Sequence, residues 1–345
     1  MLLTAIVSVL QFFLSDPLLI AIVRFVLGML IGADYTVGIP LLSEWAPAKK
    51  RAGILGWLLV FWTIGYCISY IVGFFMDGFA AFGNDGWRLV LCTSVVPSLI
   101  ALVIRFGTPE SPLWHIAKGR PQEALANIHA YLGNQYGLPD RGEEKPASTS
   151  WFALFAPEQW RNTVVSGVFF FAQVLPFFAI SIFLPLVLTK MNIQNPNASG
   201  VLYNVFTLIG VLVGLWIYGI ATRRAYLLWT FYVSAAILTV MILWTSMSPL
   251  VALIMITAFA LVLAASIVPE FSYPAELFPT ELRGSGVGLT IAISRFGAGG
   301  GTFLLPIVSE QFGIHMALWC CVITLLFGGI ICHMWAPETS GRGKK

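Results

Sequence analysis

Four ionisable residues, Arg24, Asp34, Glu270 and Arg295, sit inside long apolar stretches. A charge in a hydrocarbon slab costs about 2.5–3.5 kcal/mol on insertion scales, so it is retained where it faces a cavity or a partner. Arg295 lies about eight residues into its stretch, roughly 12 Å deep. A guanidinium there suits a carboxylate, on a solute or on a neighbouring helix. Gly297, Gly299, Gly300 and Gly301 follow it and would let the helix break or another backbone approach closely. Glu270 stands beside Pro269 and one helical turn from Tyr273. Pro269 and Pro274 free backbone carbonyls, which lipid tolerates where they line a cavity. A carboxylate in that setting suits proton carriage, with a salt bridge to Arg295 as the structural alternative. Asp34 reads as deep in the second stretch, either a proton or solute contact or one half of a structural pair. Arg24 lies about 9 Å from the outer end of the same stretch.

Other chemistries find little support. His115, His129, His315 and His333 have no nucleophile or acid at catalytic spacing, which argues against an enzyme. Cys67, Cys92, Cys320, Cys321 and Cys332 fall in apolar blocks without metal-ligand spacing, so neither a metal nor a cofactor is expected. No basic run with interleaved aromatics points to nucleic acid, and no ring of like charges or filter loop points to a channel.

The elements that hold these residues follow from composition. Charged residues are 10% of the 345 and hydrophobic ones 58%, against roughly 25% charged in soluble domains. The apolar residues come in blocks of about 20, enough to cross ~30 Å of hydrocarbon, so the lipid bilayer is the solvent. Ten spans are expected, at about 2–14, 18–44, 54–76, 88–106, 164–188, 199–220, 226–245, 250–273, 286–308 and 316–335. One set of alternating loops carries fourteen basic residues: Lys49, Lys50, Arg51, Lys118, Arg120, Arg141, Lys145, Arg161, Arg223, Arg224, Arg283, Arg342, Lys344 and Lys345. The opposite loops carry Lys190 and Arg88. The positive-inside rule then places both termini in the cytoplasm. An N-terminal bundle over 1–106, a cytoplasmic linker over 107–161 and a C-terminal bundle over 162–345 are expected, with an amphipathic helix at Glu123–Leu132 in the linker.

Two signatures occur twice. Glu44-x-x-Pro47-x-x-x-Arg51 closes the second span, and Glu276-x-x-Pro279-x-x-x-Arg283 closes the eighth. Pro109-Glu110-Ser111 follows the fourth span, and Pro337-Glu338-Thr339 follows the tenth. Each pair is six spans apart in the same orientation, which describes a parallel repeat of six-span halves. On that count the first half has four spans, two short of its partner.

With Arg24-x-x-x-Gly28, Gly32, Lys118-Gly-Arg120 and Gly341-Arg342 added, these residues resemble the major facilitator superfamily, in its sugar-porter-like branch of metabolite transporters. The resemblance runs along nearly the whole chain and matches family spans three to twelve. It implies an all-α membrane protein of two helical bundles, N-terminally truncated to ten spans. It also implies that Glu44, Arg51, Glu276 and Arg283, with Glu110, Arg120, Glu338 and Arg342, form a cytoplasmic gate that bridges helices when the inner side is closed. In related proton-coupled members Arg24 answers to an acid on the first family span. Where sugar porters carry paired glutamines and an asparagine, this chain has Gln173-Val-Leu-Pro176; where they carry a tryptophan it has Tyr273 nearby. Leu113 and Ser340 stand where the motifs usually have arginine and lysine.

These departures make a small organic acid at least as good a substrate as a hexose. The expected protein is a secondary transporter of a small polar metabolite, proton-coupled, monomeric and multi-pass in a bacterial inner membrane. Its alternative is a truncated remnant that inserts without transporting. The pathway residues expected are Arg295, Glu270, Asp34, Arg24, Tyr273 and Gln173.

Overall fold

Proline behind a capping side chain starts several of the helices. Asp16 Oδ1 accepts from the Leu18 and Leu19 N–H groups at 2.7 and 3.3 Å, and Pro17 opens α2 (Pro17–Trp45). Ser111 and Pro112 do the same for α6 (Pro112–Ala117), and Ser248 and Pro249 for α12 (Pro249–Ala265). Each proline occupies a position whose N–H would lack an intrahelical partner.

The computed structural model describes residues 1–46, 51–77, 86–138, 151–191, 193, 195–244 and 246–340. They form two compact units, one of Met1–Trp57 and Ile71–Lys145, the other of Leu58–Tyr70 and Pro146–Lys345. The middle of α3 (Arg51–Asp77) is grouped with the second unit.

In the first unit α1 (Leu2–Leu10) packs on α2 and on α5 (Val95–Arg105). Its buried face is Thr4, Ala5, Ser8 and, in the following 3-10 turn, Gln11, while Ser98 is buried on α5. Phe25, Met29, Val103 and Ile104 point outward. Small polar groups inside and large apolar ones outside are what lipid as solvent selects. α4 (Gly86–Cys92) precedes α5, and α6 packs on α7 (Pro121–Leu132), the expected amphipathic helix.

The second unit has six span elements. They are α8 (Trp160–Ile182) with α9 (Leu184–Lys190), α10 (Pro196–Ile220), α11 (Arg223–Leu243), α12 with α13 (Pro269–Leu277), α14 (Thr280–Gln311) and α15 (Ile314–Trp335). α8 lies along α14 and α15, α10 along α12, and α11 along α12 and α15. Glycine sets how closely they approach. A Cβ on Gly297 would stand 2.8 Å from the Phe171 carbonyl oxygen, and one on Gly301 2.5 Å from that of Leu175. These glycines, one turn apart, let α14 lie against α8. α14 stays continuous through Gly297–Gly301, so the close approach expected there is present and the helix break is not.

Breaks occur elsewhere. The expected spans 164–188 and 250–273 are each interrupted, at Phe183 and at Ser266–Val268. Pro185 and Pro269 follow the interruptions and have no N–H to continue the ladder. The Tyr226 hydroxyl donates to the Ala265 carbonyl at 2.7 Å, and Ser266 Oγ donates to Leu263 O at 2.6 Å, meeting groups that the second break frees. Against the ten expected spans, eight helices among the described residues are long and apolar enough to cross a membrane, and Leu2–Phe13 and Pro249–Ala265 are shorter apolar helices.

Gly210 faces the Leu261 carbonyl at the α10–α12 crossing, where an added Cβ would overlap backbone. Gly210→Ala should cost about 1–3 kcal/mol and lower the thermal midpoint of the purified protein. Gly288→Ala, with nothing within 4 Å, should leave the midpoint unchanged or raise it.

Candidate substrate and proton site

Arg295 is the fifteenth residue beyond Thr280, about 22 Å along α14. It is exposed and lines an open groove of about 540 Å³. Phe178, Ile182 and Phe183 at the end of α8 form one wall, and Gly299, Thr302 and Phe303 of α14 part of the other. Among the described residues Arg295 makes no ion pair. Glu270, at the N-terminal turn of α13, is 8% exposed, and Arg295 acts on its carboxylate electrostatically without a contact ion pair. The structure thus brings Arg295 and Glu270 into one field. Tyr273 lies one turn beyond Glu270 but turns away, its ring edge on Phe169 and its hydroxyl donating to Pro337 O at 3.0 Å.

Gln173 on α8 is wholly buried, and neither end of its amide has a hydrogen-bond partner among the described residues. A buried amide left unpaired costs roughly 1–3 kcal/mol, which a polar ligand would recover. Asn204 Oδ1 and the Tyr70 hydroxyl, both within this unit, are unpaired in the same sense. The α3 segment shows Trp62, Tyr66 and Tyr70 at helical spacing. Trp62 and Tyr66 meet the Phe177 ring at 5.8 and 6.1 Å, and Tyr66 shares Ser181 with Tyr203. Cys67 Sγ–H donates to Asn204 O at 3.0 Å, and the Tyr70 hydroxyl occupies the space a side chain would need at Gly200.

At the opposite ends of these helices a charged network gathers. Arg223 donates to Tyr218 O at 2.6 Å, lies 3.8 Å from the Tyr218 ring centre and reaches Glu276 at 3.4 Å. Thr339 Oγ1 also donates to Glu276. Glu338 accepts from the N–H groups of Arg223 and Arg224 at 2.9 and 3.0 Å, so its carboxylate caps α11, and from Ser340. Burial pushes the Glu338 carboxyl upward, but the Ser340 hydroxyl and the N–H groups of Arg224, Ser340 and Arg223 outweigh it and hold it below its usual 4.5. Arg283 is exposed on the first turn of α14. Arg342 lies outside the described residues, as do the side chains of Glu44 and Arg51.

In the first unit Asp34 ends the apolar window Pro17–Asp34 and forms a two-pronged ion pair with Arg105, whose Nη2 donates to Oδ2 at 3.0 Å. Of the two alternatives for Asp34, the pairing seen among the described residues is the structural one. Arg24 is exposed and without an ion pair among the described residues. Glu110 and Arg120 turn to their own linker, to His115 and to Glu123, at 3.3 and 3.7 Å.

Residues 1–344 match the family described as "Sugar (and other) transporter". The chain is a member of that family. It is 35% identical over 340 residues to the inner membrane metabolite transport protein YgcS of Escherichia coli, covering 98% of this chain and 75% of the relative. It is 28% identical over 339 residues to the putative metabolite transport protein YaaU of the same organism, covering 97% and 75%. Among solved structures it is similar to a partially occluded inward-open conformation of the E. coli xylose transporter XylE, at TM-score 0.75, 18% identity and 93% and 72% coverage. It is also similar to the major facilitator superfamily proton:xylose symporter XylE bound to 6-bromo-6-deoxy-D-glucose, at TM-score 0.73, 16% identity and 98% and 80% coverage. This family member is thus a multi-pass membrane transporter with the major facilitator fold, and not an enzyme.

Several functional groups escaped the sequence reading. Arg223 figured only as a loop charge and Arg105 not at all, and their contacts appear only once helices distant in sequence meet. Tyr203, Asn204 and Ser181 are uncharged polar residues in apolar helices, and spacing alone did not set them apart.

A depressed carboxyl contributes stability that is fully present above its unfolded-state value and lost as pH falls through its folded-state value. Glu338→Gln should therefore lower the thermal midpoint at neutral pH, and its difference from wild type should close as the pH drops below 4.5. A difference that persists unchanged into acid would remove the Glu338 cap from this account.

Proposed function

We propose that this transporter moves a small carboxylate-bearing metabolite together with protons by alternating access. The observation that carries the reading is Arg295, an exposed guanidinium on a groove walled by Phe178, Phe183 and Phe303. A carboxylate matches that guanidinium with two parallel charge-assisted hydrogen bonds, whereas a neutral polyol leaves its charge uncompensated. The aromatic walls favour a solute with an apolar portion over one ringed by hydroxyls.

Glu270 supplies the link to protons. While ionised it competes for the field of Arg295. Once it is protonated, the guanidinium is left to the solute anion. Proton and solute then bind best together, and each raises the affinity of the other by the same factor. Gln173, unpaired and buried, supplies a second hydrogen-bonding contact. Two bundles, 1–106 and 162–345, rock about the site while the 107–161 linker joins them, and binding shifts the balance between outward- and inward-facing states. The bias of basic residues supports a topology with both termini in the cytoplasm of a bacterial inner membrane, where the protein would act as a monomer. The exposed Arg223–Glu276 pair and the Glu338 cap serve as gate contacts that part when the inner side opens.

Proteoliposomes carrying the chain, given an inward proton gradient and a panel of mono- and dicarboxylates, xylose and inositol, test this. An acid should accumulate, and Arg295→Ala should cut its uptake at least about tenfold, the weight of a lost charge-assisted hydrogen bond. Glu270→Gln should abolish accumulation against a gradient while labelled-for-unlabelled exchange continues. Uptake confined to a neutral sugar, and unaffected by Arg295→Ala, would refute the reading.

A further inference from the structure

His115 lies on the linker helix α6. Its side chain is 7% exposed, and its two ring nitrogens face different acids. Nε2 is 3.3 Å from Glu110 Oε2, and Nδ1 is 3.4 Å from Glu123 Oε2. Asn127 Nδ2, an amide donor, also stands 3.3 Å from Nε2. One ring nitrogen thus has an acceptor and a donor as neighbours, and no single protonation state serves both. A neutral ring accepts from Asn127 at Nε2, which leaves Nδ1 without a hydrogen-bond partner among the described residues and Glu110 facing a lone pair. A charged ring stands within ion-pair distance of both Glu110 and Glu123, and Asn127 loses its acceptor.

The surroundings make this choice mechanical. Glu110 belongs to the strand of chain leaving α5, and Glu123 and Asn127 belong to α7, so a charged ring ties the end of a span to the linker helix. Glycines with positive φ flank these pieces, Gly107 at 107°, Gly119 at 75° and Gly133 at 99°, a backbone region that side chains disfavour. The Tyr131 hydroxyl reaches Gly107 O at only 3.5 Å, and the Tyr131 ring stacks edge-on against Trp45. A cleft of about 460 Å³ bounded by Thr108, Glu110, His115, Glu123 and Asn127 gives water access to the cluster.

We propose that His115 is a proton-binding site that latches linker helices α6 and α7 to the end of α5, closed when the imidazole is charged and released at Glu110 when it is neutral. The charges around it are few. Arg120 Nη1 stands 3.7 Å from Glu123 Oε2 and so attends that acid, and Lys118 lies over the Trp114 ring. From α2, which also packs on α6, no charged group of the described residues pairs with His115, and Asp34 is held by Arg105.

Amide hydrogen exchange of the purified full chain tests this without reference to transport. After correction for intrinsic rates, residues 108–132 of the wild type should exchange roughly tenfold more slowly at about pH 5.5 than at about pH 8, the weight of one charge-assisted hydrogen bond. His115→Gln, which keeps a hydrogen-bonding side chain but cannot charge, should erase that difference. Glu110→Gln should erase most of it through the other partner, and it decides the matter if His115→Gln does not fold. Equal protection at the two pH values in wild type, or an undiminished pH effect in a folded variant, would overturn the latch.

Discussion

A backbone group or charge without a partner has no water to turn to in hydrocarbon, and the second unit is arranged around that constraint. Two of its six span elements are interrupted, at Phe183 and at Ser266–Val268. Continuous helices would have satisfied every carbonyl locally, so each interruption leaves groups to be met by side chains. Tyr226 meets Ala265 and Ser266 meets Leu263. These repairs hold the end of α12 in place and let α13 begin afresh with Glu270 in its first turn, where the helix dipole favours a negative charge. The position of the buried acid follows from the break.

The same constraint explains why glycine, and not a larger residue, lines the α8–α14 contact. Without a hydrophobic drive between helices in lipid, association relies on close packing. Gly297 and Gly301 bring the α14 backbone against Phe171 and Leu175, while Arg295 and Gly299 line the open groove whose other wall is the end of α8. Close approach and open groove thus alternate along α14. A guanidinium on the packed face would have needed an acid beside it. In the groove it remains without a contact ion pair among the described residues.

Legibility in the sequence tracked how local each feature is. Apolar block length, caps and prolines are written within a dozen residues, and they located the helices and the linker helix. The glycine run after Arg295 announced a close approach, but its register against α8 was needed to show that packing rather than a break results. The interruption at Ser266–Val268 was signalled by Pro269, yet the apolar run continued through it and masked it. Arg105 and Arg223 carry no local mark, because each acquires meaning from a partner 71 or 53 positions away. Gln173 stood out only against a family pattern, and its burial with both amide ends unpaired could be found only by placing its neighbours.

The duplicated signatures show how two copies of a motif can part company while keeping their residues. Pro109-Glu110-Ser111 and Pro337-Glu338-Thr339 each follow a span end. In the first copy Ser111 caps α6 and Glu110 turns to His115, so the motif is spent on folding the linker back. In the second copy Glu338 instead caps α11 through two backbone N–H groups, and Thr339 reaches Glu276. Because Glu276 also holds Arg223, the tail after α15, the start of α11 and the end of α13 meet at one cation. A carboxylate on a helix N-terminus keeps its value whichever way neighbouring side chains turn, whereas an exposed ion pair contributes about 0–1 kcal/mol and is easily exchanged. The second copy therefore joins two kinds of contact in one place, a helix cap at Glu338 and a side-chain ion pair at Glu276.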